Sequence, residues 1–121
     1  RLKGGLYGLL IGDALGVPYE FHPASSIPSF ELIEMEPPAR FQRAHATVTP
    51  GTWSDDGALA LCLLDSLIQS GELDLENLTG KFLAWEAEGY LAVDGRVFDI
   101  GIQTSQAFNN LRRGMRLSTA K

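Results

Sequence analysis

Several ingredients are scarce in this chain of 121 residues, and each shortage removes a class of function. There is one cysteine, Cys62, so neither an internal disulfide nor a cysteine-based zinc cluster is available. Cys62 sits inside an apolar stretch and reads as an inert core thiol, and with no disulfide to form, a cytoplasmic location suits the chain. No apolar run approaches the roughly 20 residues that a membrane helix needs, so a membrane is not among the expected partners. Ten basic residues face fifteen acidic ones, for a net charge of −5. Apart from Arg112, Arg113 and Arg116 the basic residues are scattered, so no basic face is offered to nucleic acid and that partner is not expected. His22 and His45 stand alone in loop sequence and are assigned no role. There is no internal repeat and no low-complexity tract.

What is present is ordinary globular material, 45% apolar and 21% charged. The length makes a single domain the default, although it is short for an enzyme with a deep pocket. The chain opens on Arg1, and the tail Met115–Lys121 reads as a boundary inside a longer protein.

Four segments carry helix signals. The first runs from about Leu2 to Leu15 and is broken by Gly16, Val17 and Pro18. Gly5, Gly8, Gly12 and Gly16 share one face of it. Each costs a helix interior roughly 1 kcal/mol relative to alanine, so close approach of another backbone or a ligand is expected there. From Glu20 to Thr52 the chain is irregular and punctuated by prolines, with a short extended piece at Phe30–Met35. A loop of that length is uncommon unless functional. The second helix spans Asp55–Ser70, with Ser54 as its cap and Gly71 as its stop. Its unbroken apolar run, Ala58–Leu64, predicts burial on nearly all sides. The third spans Leu75–Glu88 between Asp74 and Gly89, with Leu75, Leu78, Phe82 and Trp85 as its inward stripe. The fourth runs from about Gln103 to Arg113, with Ala107, Phe108 and Leu111 inward and Gly114 as its stop. Helices joined by irregular loops, without a strand ladder, indicate an all-α domain.

Three acidic clusters hold the candidate chemistry: Gly12-Asp13-Ala14-Leu15-Gly16 with Tyr19-Glu20-Phe21, Trp53-Ser54-Asp55-Asp56, and Phe98-Asp99-Ile100-Gly101. Ser54, Asp55 and Asp56 have a plain reading, since a serine and two aspartates at a helix start satisfy free amides and complement the dipole. They also have a chemical one. Carboxylate and hydroxyl oxygens are the donors that Mg²⁺ or Mn²⁺ prefers, and adjacent aspartates diverge enough to serve two ions. Asp13, late in its helix, is poorly placed for the dipole and, flanked by Gly12 and Ala14, is expected to be buried and partnered. Glu20 follows a helix exit, where a loop carboxylate can act as a general acid or base. Asp99 reads either as a site residue or as the approach to the fourth helix.

In this order and at these separations, Gly8–Gly16, Glu20-Phe21, Gly51–Asp56 and Phe98–Gly101 resemble the amino-terminal motifs of the ADP-ribosylglycohydrolases. The resemblance covers the chain from Gly4 to about Gly114. It implies an orthogonal helical bundle of that type, of which residues 1–121 are the amino-terminal part, around a binuclear Mg²⁺ (or Mn²⁺) centre. By position it implies Ser54, Asp55 and Asp56 as metal ligands, Glu20 and Asp13 as catalytic residues, and Asp99 and Gly101 as substrate-binding residues. Gly57 departs from the pattern, standing where many members carry threonine or serine. The family's remaining ligands lie in a downstream Asp-any-Asp-Ser/Thr motif not found in this sequence, so the carboxy-terminal portion of the same protein is an expected partner. The other expected partner is an ADP-ribosylated protein or an ADP-ribose-containing small molecule. The implied activity is metal-dependent hydrolysis of a glycosidic bond to ADP-ribose. Two other readings remain: a non-catalytic relative, as in a lens crystallin of this fold, and a helical interaction module in which Ser54, Asp55 and Asp56 only cap a helix.

Overall fold

Local chemistry sets the helix boundaries. The computed structural model describes residues 1–114, so the boundary read into Met115–Lys121 lies outside the described residues. Helix α1 spans Leu2–Gly16, α2 Asp55–Ser70, α3 Leu75–Glu88 and α4 Ile102–Arg112. After α1 the chain tightens into a 3₁₀ turn at Val17–Tyr19, where Pro18 presets the backbone. Asp74 caps α3, its carboxylate accepting from the amides of Glu76 and Asn77. Gly89 ends α3 in the left-handed conformation. A Cβ there would run into the backbone of Gly95, so the turn excludes side chains both by torsion and by space. Among the described residues there is no strand, and the fold is all-α. No described helix is long and apolar enough to cross a membrane.

The chain divides into two compact units, Arg1–Gly57 and Ala58–Lys121. The first unit holds α1 and the long loop. Ala14, Val17, Pro18, Tyr19 and Val48 are its buried apolar side chains. The Tyr19 hydroxyl donates to the Glu34 carbonyl at 2.7 Å and accepts from the Glu34 amide at 3.1 Å. The Phe41 ring lies 5.2 Å from that of Tyr19 and 4.5 Å from that of His22. These contacts order a segment that has no secondary-structure ladder. Phe30–Met35 is not extended as a whole: Phe30–Leu32 forms a 3₁₀ turn, and Ile33 follows in an extended conformation. The amides of Leu32 and Ile33 donate to the Ser29 and Phe30 carbonyls, and that of Glu34 to the Tyr19 hydroxyl, so these donors are satisfied without a neighbouring strand.

The second unit takes most of α2, then α3 and α4. Ala58, Cys62, Trp85 and Phe108 form its core. The Phe108 ring is stacked on Phe82 at 5.7 Å and edge-on to Trp85 at 6.0 Å. Each such pair contributes roughly 0.5–1.5 kcal/mol beyond its buried area. Arg112 pairs with Glu86, joining α4 to α3. Asp65 receives Lys81 Nζ and the Tyr90 hydroxyl, each at 2.5 Å.

Several burial expectations fail: Asp13 is half-buried where full burial was expected, and Leu75, placed in the inward stripe of α3, is 45% exposed. Helix α2 is not buried on nearly all sides. Its inward side is Ala58, Cys62 and Ser66, four residues apart, whereas Leu63, Leu64 and Leu67 are exposed and Ile68 is 72% exposed. Small side chains face the core, so an apolar run did not translate into all-round burial. On α4, Phe108 is buried and Leu111 half-buried, but Ala107 is exposed, since one helical step, about 100°, turns it away from the Phe108 face. The glycine face of α1 is also open. Among the described residues nothing lies within 4 Å of where a Cβ would stand on Gly5, Gly8, Gly12 or Gly16.

Candidate active site

Asp13 organises the first cluster. Its Oδ2 accepts the amides of Ser54 at 2.9 Å and Gly57 at 2.7 Å, and its Oδ1 accepts the Ser54 hydroxyl at 2.6 Å. Gly57 is the third residue of α2, and its amide is the one a capping Ser54 would accept. Asp13 supplies that cap from another helix instead. The physical reason is competition between acceptors. An ionised carboxylate makes a shorter, stronger bond to a helix amide than a neutral hydroxyl does, and it can also accept the hydroxyl. Gly57 permits the approach: a Cβ there would stand 2.9 Å from Asp13 Oδ2 and 2.8 Å from Trp53 Cβ. The Gly57 departure from the family pattern is therefore tied to this contact.

Relieved of capping, Ser54 is buried and also lies 3.3 Å from Asp55 Oδ1. Asp55 is half-buried and Asp56 exposed, as the helical step between consecutive side chains requires. Ser54, Asp55 and Asp56 together offer only oxygen donors, a set suited to a hard divalent cation and unsuited to a thiophilic one.

Glu20 is held separately. The Ala44 amide donates to the Pro18 carbonyl at 2.8 Å, which brings the 44–45 segment against the turn after α1. His45, in a left-handed conformation at φ 49°, then places Nε2 3.1 Å from Glu20 Oε2. His22 Nδ1 lies 2.7 Å from the Glu20 carbonyl, so it is the nitrogen that carries the proton. Both groups are partly exposed, as a proton-transferring carboxylate requires. His22 and His45 had no assigned role in the sequence. Neither has periodicity or a ligand spacing, and His45 lies 25 residues from its partner, so no local signal identifies it.

Asp99 and Gly101 belong to the second unit. Asp99 is half-buried and adopts φ 59°, uncommon for a residue with a side chain. Gly101 caps α4 in an extended conformation, and its carbonyl accepts the Ser105 amide at 2.9 Å. Cys62 takes no part: it is fully buried, and burial pushes its thiol up to about 11.

The sequence model of the ADP-ribosylglycohydrolase family matches residues 1–121. The chain belongs to the ADP-ribosylglycohydrolase family. Among its ADP-ribosylglycohydrolase relatives is the ADP-ribosylarginine hydrolase Tri1 of Serratia proteamaculans, 38% identical over 107 residues, which are 88% of this chain and 27% of that protein. Tri1 of Pseudomonas putida is 36% identical over 116 residues, 95% of this chain and 29% of that protein. The ADP-ribosyl-dinitrogen reductase glycohydrolase of Rhodospirillum rubrum is 29% identical over 124 residues, 96% of this chain and 34% of that protein. The chain thus spans between about a quarter and a third of the length of these family members.

Proposed function

We propose that this chain supplies the amino-terminal side of the active site of a hydrolase that cleaves the glycosidic bond between ADP-ribose and an acceptor group. The acceptor sits on a protein or a small molecule, and the Tri1 relatives make arginine-linked ADP-ribose the first substrate to try. The observation that carries this reading is the Asp13–Gly57 bond, made beside the bond from the Ser54 hydroxyl to Asp13. It removes the capping role from Ser54, and with it the plainest non-catalytic explanation of the serine in the Ser54-Asp55-Asp56 run.

Ser54, Asp55 and Asp56, joined by residues of the carboxy-terminal portion of the protein, would hold two Mg²⁺ or Mn²⁺ ions. Such ions acidify bound water and anchor negative charge. Glu20 takes the proton of the attacking water, and His45 holds its Oε2 in place. The water oxygen bonds to the anomeric carbon, the bond to the acceptor breaks, and the acceptor leaves with that electron pair and regains a proton. Nearby carboxylates stabilise the positive charge that develops on the sugar. Asp99 and Gly101 would take part in binding the substrate. The single buried thiol suits a cytoplasmic setting.

In the full-length protein, Asp55→Ala and Asp56→Ala should each weaken Mn²⁺ binding and slow release of ADP-ribose from ADP-ribosylarginine by roughly a hundredfold or more. Changes merely behind the ligands typically cost about 10–100-fold. Turnover at the wild-type rate in both variants would refute the assignment.

A further inference from the structure

The Ser54 hydroxyl has one proton and two lone pairs, and the direction of that proton decides what the oxygen can bind. Asp13 Oδ1, 2.6 Å away, can only accept, so the proton points at Asp13. The competing acceptor, Asp55 Oδ1, is farther off at 3.3 Å. The other Asp13 oxygen is pinned by the amides of Ser54 and Gly57, so the carboxylate cannot rotate away without uncapping α2. From this geometry we infer that Asp13 is a positioning residue. It fixes the Ser54 proton inward and leaves the lone pairs of Oγ available to a divalent cation. The inference rests on the cation reading of Ser54, Asp55 and Asp56, and it gives Asp13 a task different from proton transfer to substrate.

Asparagine at position 13 separates this task from capping. Its carbonyl oxygen faces the two backbone amides, two donors against one acceptor, and preserves the cap. Its amino group then faces Ser54 Oγ and can only donate. The hydroxyl is forced to accept, and its proton turns outward, where a cation would approach. Alanine removes both functions.

The test uses the full-length protein, Mn²⁺ calorimetry and urea unfolding on wild type, Asp13→Asn, Asp13→Ala, Ser54→Ala and the double variant Asp13→Asn with Ser54→Ala. Asp13→Asn should unfold at a urea midpoint near wild type, and Asp13→Ala at a clearly lower one. Asp13→Asn should bind Mn²⁺ about tenfold more weakly, as expected when the group behind a ligand is altered. In the Ser54→Ala background the same change should cost no more than about twofold, since no hydroxyl remains to be turned. Wild-type affinity in Asp13→Asn would overturn the inference. An equal tenfold loss in both backgrounds would also overturn it, by reducing Asp13 to a remote negative charge. Equal midpoints for Asp13→Asn and Asp13→Ala would do the same, by showing that asparagine does not keep the cap. If Mn²⁺ fails to bind wild type at all, the cation reading itself falls. If Ser54→Ala weakens binding while Asp13→Asn does not, that reading stands and only the inference fails.

Discussion

Replacing Gly57 with alanine should destabilise the protein, although alanine is the better helix former. On an unobstructed helix position the exchange stabilises by about 1 kcal/mol through propensity, part of it from restricting the unfolded chain. At position 57 the new Cβ would meet Trp53 Cβ at 2.8 Å and Asp13 Oδ2 at 2.9 Å, closer than real Cβ atoms come to other atoms. Neither neighbour is the loose end of a long side chain. Trp53 Cβ is fixed to its backbone, and Asp13 Oδ2 is bonded to the Gly57 amide at 2.7 Å. Relieving such overlap costs about 1–3 kcal/mol. Loss of the cap costs about 0.5–2 kcal/mol more. Set against the propensity gain, the net loss is about 0.5–4 kcal/mol. Gly80 is the internal control: it lies within α3, is exposed, and has nothing within 4 Å of a Cβ position among the described residues. Gly80→Ala should raise the urea midpoint while Gly57→Ala lowers it. If both raise it, the Asp13 contact has been given a weight it does not have.

Gly89→Ala combines a left-handed backbone, costing about 1–2 kcal/mol, with overlap on Gly95, so it should be among the most damaging single exchanges in α3 by thermal unfolding. The Asp65–Lys81–Tyr90 group should make stability depend on pH at both ends. Hydrogen bonds from Lys81 and then Tyr90 lower the Asp65 pKa, so its contribution is present above the ordinary carboxylate range and lost as pH falls through the folded value. The bond to Asp65 raises both Lys81 and Tyr90, so theirs is present below about pH 10 and lost as pH rises further. Lys81→Met should flatten both limbs of a stability–pH profile, and an unchanged profile would count against the cluster. Cys62, with its thiol raised to about 11 by burial, should resist a thiol reagent at pH 8 until the protein is unfolded. Rapid labelling of the native protein would contradict its placement.

Helix ends were legible in the sequence because their determinants are local. Asp74 and Gly89 sit at the two ends of α3 and act on amides and carbonyls a few residues away. The limits of α2 and the stop at Gly114 follow from the same short-range chemistry. What the sequence concealed depends on distant partners. Local rules handed the cap of α2 to Ser54, whereas a carboxylate 44 residues from Gly57 performs it. The partnered role of Asp13 was visible in its dipole mismatch, but its partners were not. His45 was invisible because its pairing needs a left-handed backbone and the Ala44–Pro18 bond, neither of which leaves a composition signal. The exposed leucines of α2 show the same limit: composition reports hydrophobicity, while the direction of burial is decided by which small residues meet the core.

Because one carboxylate ties the last turn of α1 to the first turn of α2, the span between them is a closed ring whose geometry is set at its two ends. The entropy of closing such a ring grows only logarithmically with its length, so doubling it costs about 0.6 kcal/mol. Natural or engineered insertions between Phe21 and Val48 are therefore inexpensive as long as Asp13, Ser54 and Gly57 stay clasped and the Tyr19–Glu34, Pro18–Ala44 and Glu20–His45 contacts are kept. The span can change in length between those contacts while the oxygens of Asp13 and Ser54 keep their arrangement.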